Sequence, residues 1–167
     1  INYKVDEYDS LRAIDITSAI KIKDYLKSYR GILFTPYIVK NGDRPDIVSN
    51  KLYGDPNYDW ILLIANDMYS VYDDWPRNSF DLETFIIEKY GSLSSAMSTV
   101  KYYYNSSLDI IDQTTYNNLA STARRSETQY EYELRVNSNK AKIKVVKRSL
   151  ITAITSDLNT IAKRPVL

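Results

Sequence analysis

Two proline-led helix starts stand eleven residues apart in this chain, at Asp43-Arg44-Pro45-Asp46 and at Asp55-Pro56. Proline fixes its own φ and suits the first turn of a helix, where its missing N–H would have had no partner. Gly42 and Gly54 stand just before the two Asp residues, and a glycine there can turn the chain or end a helix. The spacing predicts a helix after Asp43 that buries Ile47, Val48 and Leu52 and stops at Gly54. A second helix is expected from about Asn57 to Asn66, burying Trp60, Leu63 and Ile64, with Asn66 at its C-terminal end. Two short helices with almost no loop between them must pack as an angled pair. Phe34 to Lys40 precedes them and reads as a strand, with Tyr37 and Val39 on one face and Pro36 marking an edge. The sequence therefore predicts a compact β-α-α unit over residues 32–91, completed by a helix from Leu82 to Tyr90 that turns Phe85 and Ile86 inward.

Around this unit the signals are of different strength. Asp15 to Tyr29 carries Ile16, Ile20, Leu26 and Tyr29 at helical spacing, so residues 1–31 are read as an N-terminal arm and helix. Residues 92–127 open on a serine-rich stretch and show little period beyond a short strand at Lys101 to Tyr104, which predicts an irregular connection. In 128–167, Tyr130, Tyr132, Leu134 and Val136 alternate with polar residues, and Ala141, Ile143 and Val145 alternate with Lys140, Lys142 and Lys144. Pairing the two runs puts every apolar residue on one face and Glu133 opposite Lys144, so a β-hairpin is expected, with a closing helix through Leu150, Ile154, Leu158 and Ile161. The fold class is α+β.

Composition narrows the chemistry. The 167 residues include no Cys and no His, which removes disulfides, thiolate and imidazole metal sites, thiol nucleophiles and Ser-His-Asp triads. No catalytic, cofactor-binding or metal-binding residue is assigned. Asp55, Asp59, Asp67, Asp73, Asp74, Glu83 and Glu88 could supply an acid–base pair for glycosidic cleavage, but their spacing selects no two of them. Twenty-two basic residues against 21 acidic ones argue against a nucleic-acid partner. The longest apolar run, Trp60 to Ala65, is too short to span a membrane. The chain opens on Ile1 rather than Met, as a trimmed chain would, and no signal-peptide pattern is read in it.

Sixteen tyrosines are the unusual number. Tyr suits half-buried strands, and it also suits interfaces. Tyr72, Trp75, Tyr102, Tyr103, Tyr104 and Tyr130 are the candidate partner-contact aromatics, on the ground that the clusters exceed what a small domain can bury. Trp60 is expected in the core, whereas Trp75, among Asp73, Asp74 and Pro76, is divided between local packing and a partner contact. Lys140, Lys142 and Lys144 form a basic strand that suits either a solvated face or an acidic neighbour.

The ordered set Tyr37, Val39, Gly42, Asp43, Pro45, Ile47, Tyr53, Gly54, Trp60, Leu63 and Asn66 resembles a LysM-like unit. With Asp73, Asp74 and Trp75 following, it is more specifically similar to the phage baseplate wedge protein 53 family. That resemblance implies a structural subunit of a contractile-tailed bacteriophage. Such a subunit would be assembled in the host cytoplasm into the virion baseplate, with other wedge subunits and hub-proximal tail proteins as partners. It implies no enzyme and no cofactor. After Asn66 the chain departs from a LysM module, because Tyr69 to Pro76 stand where a second strand would follow. A glycan-binding module of a phage tail or lysin is the alternative.

Overall fold

The computed structural model describes residues 34–162, with side chains to 156. The arm and helix expected over 1–31, the side chains of Leu158 and Ile161, and Pro165 lie outside the described residues. In chain order the elements are β1 (Phe34–Ile38), α1 (Pro45–Tyr53), α2 (Asp59–Ala65), α3 (Val71–Asp74), α4 (Ser79–Tyr90), α5 (Leu93–Ser98), β2 (Val100–Asn105), β3 (Ile110–Ile111), α6 (Gln113–Asn118), β4 (Arg124–Thr128), α7 (Gln129–Lys140), β5 (Lys142–Val146) and α8 (Ile151–Ala162). The fold is α+β. Two compact units share the chain: the first takes residues 34–37, 44–71 and 143–162, the second 38–43 and 72–142.

In the first unit, Pro45 opens α1, but the N-cap is Arg44 rather than Asp43, and no side chain caps it. Arg44 instead pairs with Asp46 at 2.6 Å on the surface. The inward face carries Val48, Ser49 and Tyr53, while Ile47 and Leu52 are only half-buried. Buried Ser49 donates to the Asp55 carbonyl at 2.7 Å, so its hydroxyl is satisfied. Gly54 ends the helix at φ +82°, a left-handed conformation that favours glycine. Asp55 then accepts from the Asn57 N–H at 2.9 Å and caps a 3-10 turn, Pro56–Tyr58.

α2 buries Ile61 and Leu62 completely and leaves Trp60, Leu63 and Ile64 half-buried, which corrects the expected stripe. A run of six apolar residues carries no phase, so periodicity could not pick the inward side.

β5 pairs with β1, not with residues 130–136. Asn66, just past α2, fixes the far side of that strand. Its Oδ1 accepts from the Lys144 N–H at 2.7 Å, and its Nδ2 donates to the Lys144 carbonyl at 2.8 Å and to Leu62 O at 2.8 Å. One amide thus occupies both backbone groups of Lys144 as a neighbouring strand would. Backbone groups alternate between edges, so β1 is served by Ile143 and Val145, in phase with the Val39 N–H bond to Ala141 O at 2.9 Å. The same alternation puts Pro36 on the outer edge of β1, where it has no N–H to offer another strand. Tyr53 has a buried hydroxyl without a well-formed hydrogen bond. Burial pushes that phenol up to about 12, with the Val146 backbone acting in the opposite direction.

In the second unit, Asn78 caps α4 through the Asp81 N–H at 2.9 Å, and Gly91 closes it at φ +86°. Leu82 and Ile86 of α4 pack with Ala96 of α5, with Phe85, Tyr90, Leu93 and Tyr130 around them. The serine-rich start of 92–127 is helix α5, N-capped by Ser92. The short strand expected at Lys101 to Tyr104 is β2, and the remainder of that stretch, expected to be irregular, adds β3 and β4 to it in an antiparallel sheet of order β3-β2-β4. Tyr102 stands opposite Glu127, Tyr103 opposite Ser126 and Tyr104 opposite Arg125.

The expected hairpin is corrected as well. Residues 129–140 are helix, started by a capping box in which Thr128 Oγ1 accepts from the Glu131 N–H and Glu131 accepts from the Thr128 N–H at 2.8 Å. Asn137 repeats the Asn66 device. Its side chain accepts from the Arg77 N–H at 2.8 Å and donates to the Arg77 carbonyl at 2.9 Å. Trp75 is buried at 5% exposure and donates its indole N–H to the Asp43 carbonyl at 2.8 Å. Asp43 therefore serves this unit through its backbone rather than capping α1.

Replacing Asn66 by Ala leaves the Lys144 N–H and carbonyl to water. The expected loss is about 1–2 kcal/mol, read from urea denaturation. Asn66→Asp keeps the acceptor but sets a carboxylate oxygen against the Lys144 and Leu62 carbonyls, and should lose at least as much as Asn66→Ala.

Candidate interaction surface

Sheet alternation decides where the three consecutive tyrosines go. Tyr102 and Tyr104 share one face of β2 and meet α7, where the Tyr102 and Tyr132 rings lie edge to face at 5.6 Å. Tyr103 takes the other face and lies 4.6 Å from the Tyr116 ring of α6. Arg124 stacks over Tyr116 at 4.7 Å and donates to the Tyr116 carbonyl at the end of that helix. All three are half-buried within one unit.

Two buried carboxylates organise the α7 side. Glu127, 2% exposed, receives Arg135 through two N–H bonds of 2.6 and 2.9 Å and the Tyr104 hydroxyl at 2.8 Å. Glu133, 5% exposed, receives the Tyr90 hydroxyl at 2.7 Å and Lys89 Nζ at 3.0 Å, with Lys101 Nζ at 3.8 Å. Lys101 also sits over the Tyr132 ring at 3.6 Å. Arg135 holds the Glu127 carboxyl below its ordinary value, against burial. For Glu133, burial pushes upward, but Tyr90 and Lys89 outweigh it and the net shift is also downward. Burial and the adjacent carboxylates raise the Tyr90 and Tyr104 phenols. Both carboxylates are held ionised by neighbours, the opposite of what a general acid needs. Among the described residues no group of acidic side chains could hold a metal ion.

The remaining aromatics and lysines separate clearly. Tyr72 is 87% exposed, whereas Trp75 is core and Tyr130 packs half-buried against Leu82, Ile86 and Ala96. Lys140 donates its Nζ to the Asp73 carbonyl, and Lys142 donates to Asn139 Oδ1 at 3.0 Å. Lys144 points to solvent beside buried Ile143 and Val145. Exposed apolar residues that sequence reasoning missed include Tyr69, Phe80 and Ile87. Phe80 and Ile87 are seven residues apart and so share one face of α4, a spacing readable in the sequence.

Glu127→Gln leaves the Arg135 charge facing a neutral amide and should cost about 2 kcal/mol in urea unfolding. Because the folded carboxyl titrates below its unfolded value near 4.5, its stabilisation is present above that pH and fades as the pH falls through the folded value. A pH series of urea midpoints should show a shallower acid decline in Glu127→Gln than in the native chain.

Residues 4–120 match the family model described as Base plate wedge protein 53. The baseplate wedge protein gp53 of Enterobacteria phage T4 is 31% identical over 84 residues, covering 50% of this chain and 42% of that protein. The match thus spans less than half the length of that relative. The family match, in contrast, takes in most of the present chain, including β1, both proline-led helices and the start of the β3-β2-β4 sheet. The chain belongs to the base plate wedge protein 53 family.

Proposed function

We propose that this chain is a non-enzymatic structural subunit of a contractile phage tail baseplate, built into the virion after assembly in the host cytoplasm. In this reading it joins the wedge and links neighbouring wedges around the central hub. The observation that carries the proposal is the family match over residues 4–120. The buried carboxylates agree with it, since Glu127 and Glu133 are committed to internal cations and phenols. Of the candidate contact aromatics Tyr72 is the exposed one, and Lys142 offers a partner positive charge.

A LysM-like reading of the first unit also gains support. Its order is strand, helix, helix, strand, with β5 supplying the second strand only after residues 72–142 have intervened. That arrangement accounts for the departure after Asn66. The buried position of Trp75 takes away one aromatic that a glycan platform would use.

Quantitative mass spectrometry of purified virions, scaled to a known tail protein, should give a fixed copy number matching the baseplate symmetry. Absence from virions would discard the reading. Tyr72→Ala should leave the urea midpoint within about 0.5 kcal/mol of the native chain yet lower incorporation into virions. Unchanged incorporation would remove Tyr72 from the interface.

A further inference from the structure

The second unit carries a groove on the α4–α7 side that its own internal contacts leave open. Two hollows of about 200 and 260 Å³ share Arg77, Leu82 and Asn137 in their walls, so they adjoin. The first reaches Tyr132 of α7 and the second reaches Ala141, just past its end. Nine helical steps make this roughly 14 Å, the length of about four residues of extended chain.

The lining has two characters. Leu82, Phe85, Leu134 and Val136 contribute apolar surface. Lys40, Arg77, Lys89 and Lys140 bring positive charge; Arg77 is paired with Asp73 at 3.8 Å and Lys89 with Glu133 at 3.0 Å, which leaves Lys40 and Lys140 as the excess. Glu133 is the single acidic side chain in either wall, and Tyr90, Lys89 and Lys101 already compensate it. The Asn137 amide is spent on the Arg77 backbone, so it presents no unmet hydrogen bond to a ligand. Arg77 and Lys89 both lie over the Phe85 ring, at 4.3 and 5.0 Å, which stations two cations beside the apolar surface.

We propose that this groove receives an extended segment of another baseplate protein in which apolar and acidic residues alternate. A strand sends successive side chains to opposite sides. The apolar ones would therefore enter the hollows while the carboxylates meet the surrounding cations. The excess of positive charge favours an acidic occupant over a basic or neutral one. A contact of four residues is weak alone, and it gains strength as one of several linked contacts in an assembly. The proposal rests on the structural-subunit reading and names the chemistry of one of its partners.

The test is fluorescence anisotropy with a labelled hexapeptide alternating leucine and glutamate, against its leucine–lysine counterpart. The native chain should bind the acidic peptide and not the basic one. Lys40→Glu with Lys140→Glu should weaken binding by about tenfold or more, whereas Lys144→Glu, on β5 and outside the groove, should change it less than about twofold. Lys40→Glu alone, at an exposed side chain, gives the same comparison with less demand on the fold, and urea midpoints verify folding. Equal losses from Lys144→Glu would mean unspecific charge attraction and would overturn the proposal, as would no binding by the native chain. Virion copy number is read separately, so loss of the groove and loss of the baseplate role give different results.

Discussion

One side-chain amide carries much of this architecture. The strands β1 and β5 lie more than a hundred residues apart in the chain, so no tight turn sets their register. Closing so long a loop costs entropy that local contacts must offset. Asn66 contributes by engaging both backbone groups of Lys144, which ties the end of the helical pair to the strand that arrives last. With Pro36 on the other edge, the two-stranded sheet offers little to a foreign strand. Asn137 does for Arg77 what Asn66 does for Lys144. In both places a side-chain amide takes up the N–H and carbonyl of one residue, on a strand at Lys144 and in the loop before α4 at Arg77.

Tyrosine has a comparable internal use. Tyr90 and Tyr104 donate to buried carboxylates, Tyr102 and Tyr132 pack on each other, and Lys101 and Arg135 lie over the Tyr132 ring. The result is a polar interior in which each carboxylate has at least one cation and one phenol. A buried carboxylate with fewer partners would be costly. Much of the tyrosine surplus is therefore explained inside the second unit, and less of it is left for partners than composition suggests.

The sequence was most legible where single residues impose backbone geometry. Pro45, Gly54, Asp55 and Gly91 announced helix boundaries between residues 44 and 91, and Asn66 was placed at the end of α2 though not on β5. Legibility failed where two signals competed. Tyr130 to Val136 alternate like a strand, but the capping box of Thr128 and Glu131, together with the burial of Glu133, selects a helix. In 92–127 the strands are short, β2 is half-buried throughout and the buried side chain of β4 is the charged Glu127, so no period-two apolar pattern emerged from either. Trp75 was divided between local packing and a partner contact beside two aspartates, and its ring is core with its N–H on the Asp43 carbonyl. Of the candidate contact residues, exposed Tyr72 was readable by elimination. The groove was not, because its walls come from residues 39–41, 76–89 and 132–141, which only folding brings together.

The late delivery of β5 also orders events in time. A chain leaving the ribosome exposes β1, α1 and α2 long before residues 142–146 exist, and the second unit is complete in sequence by residue 142. The second unit can thus fold while the first still lacks a strand. A chain cut short anywhere before β5 keeps an unpaired β1, and Asn66 has no Lys144 to hold. Completion of the first unit therefore reports that translation has passed residue 146.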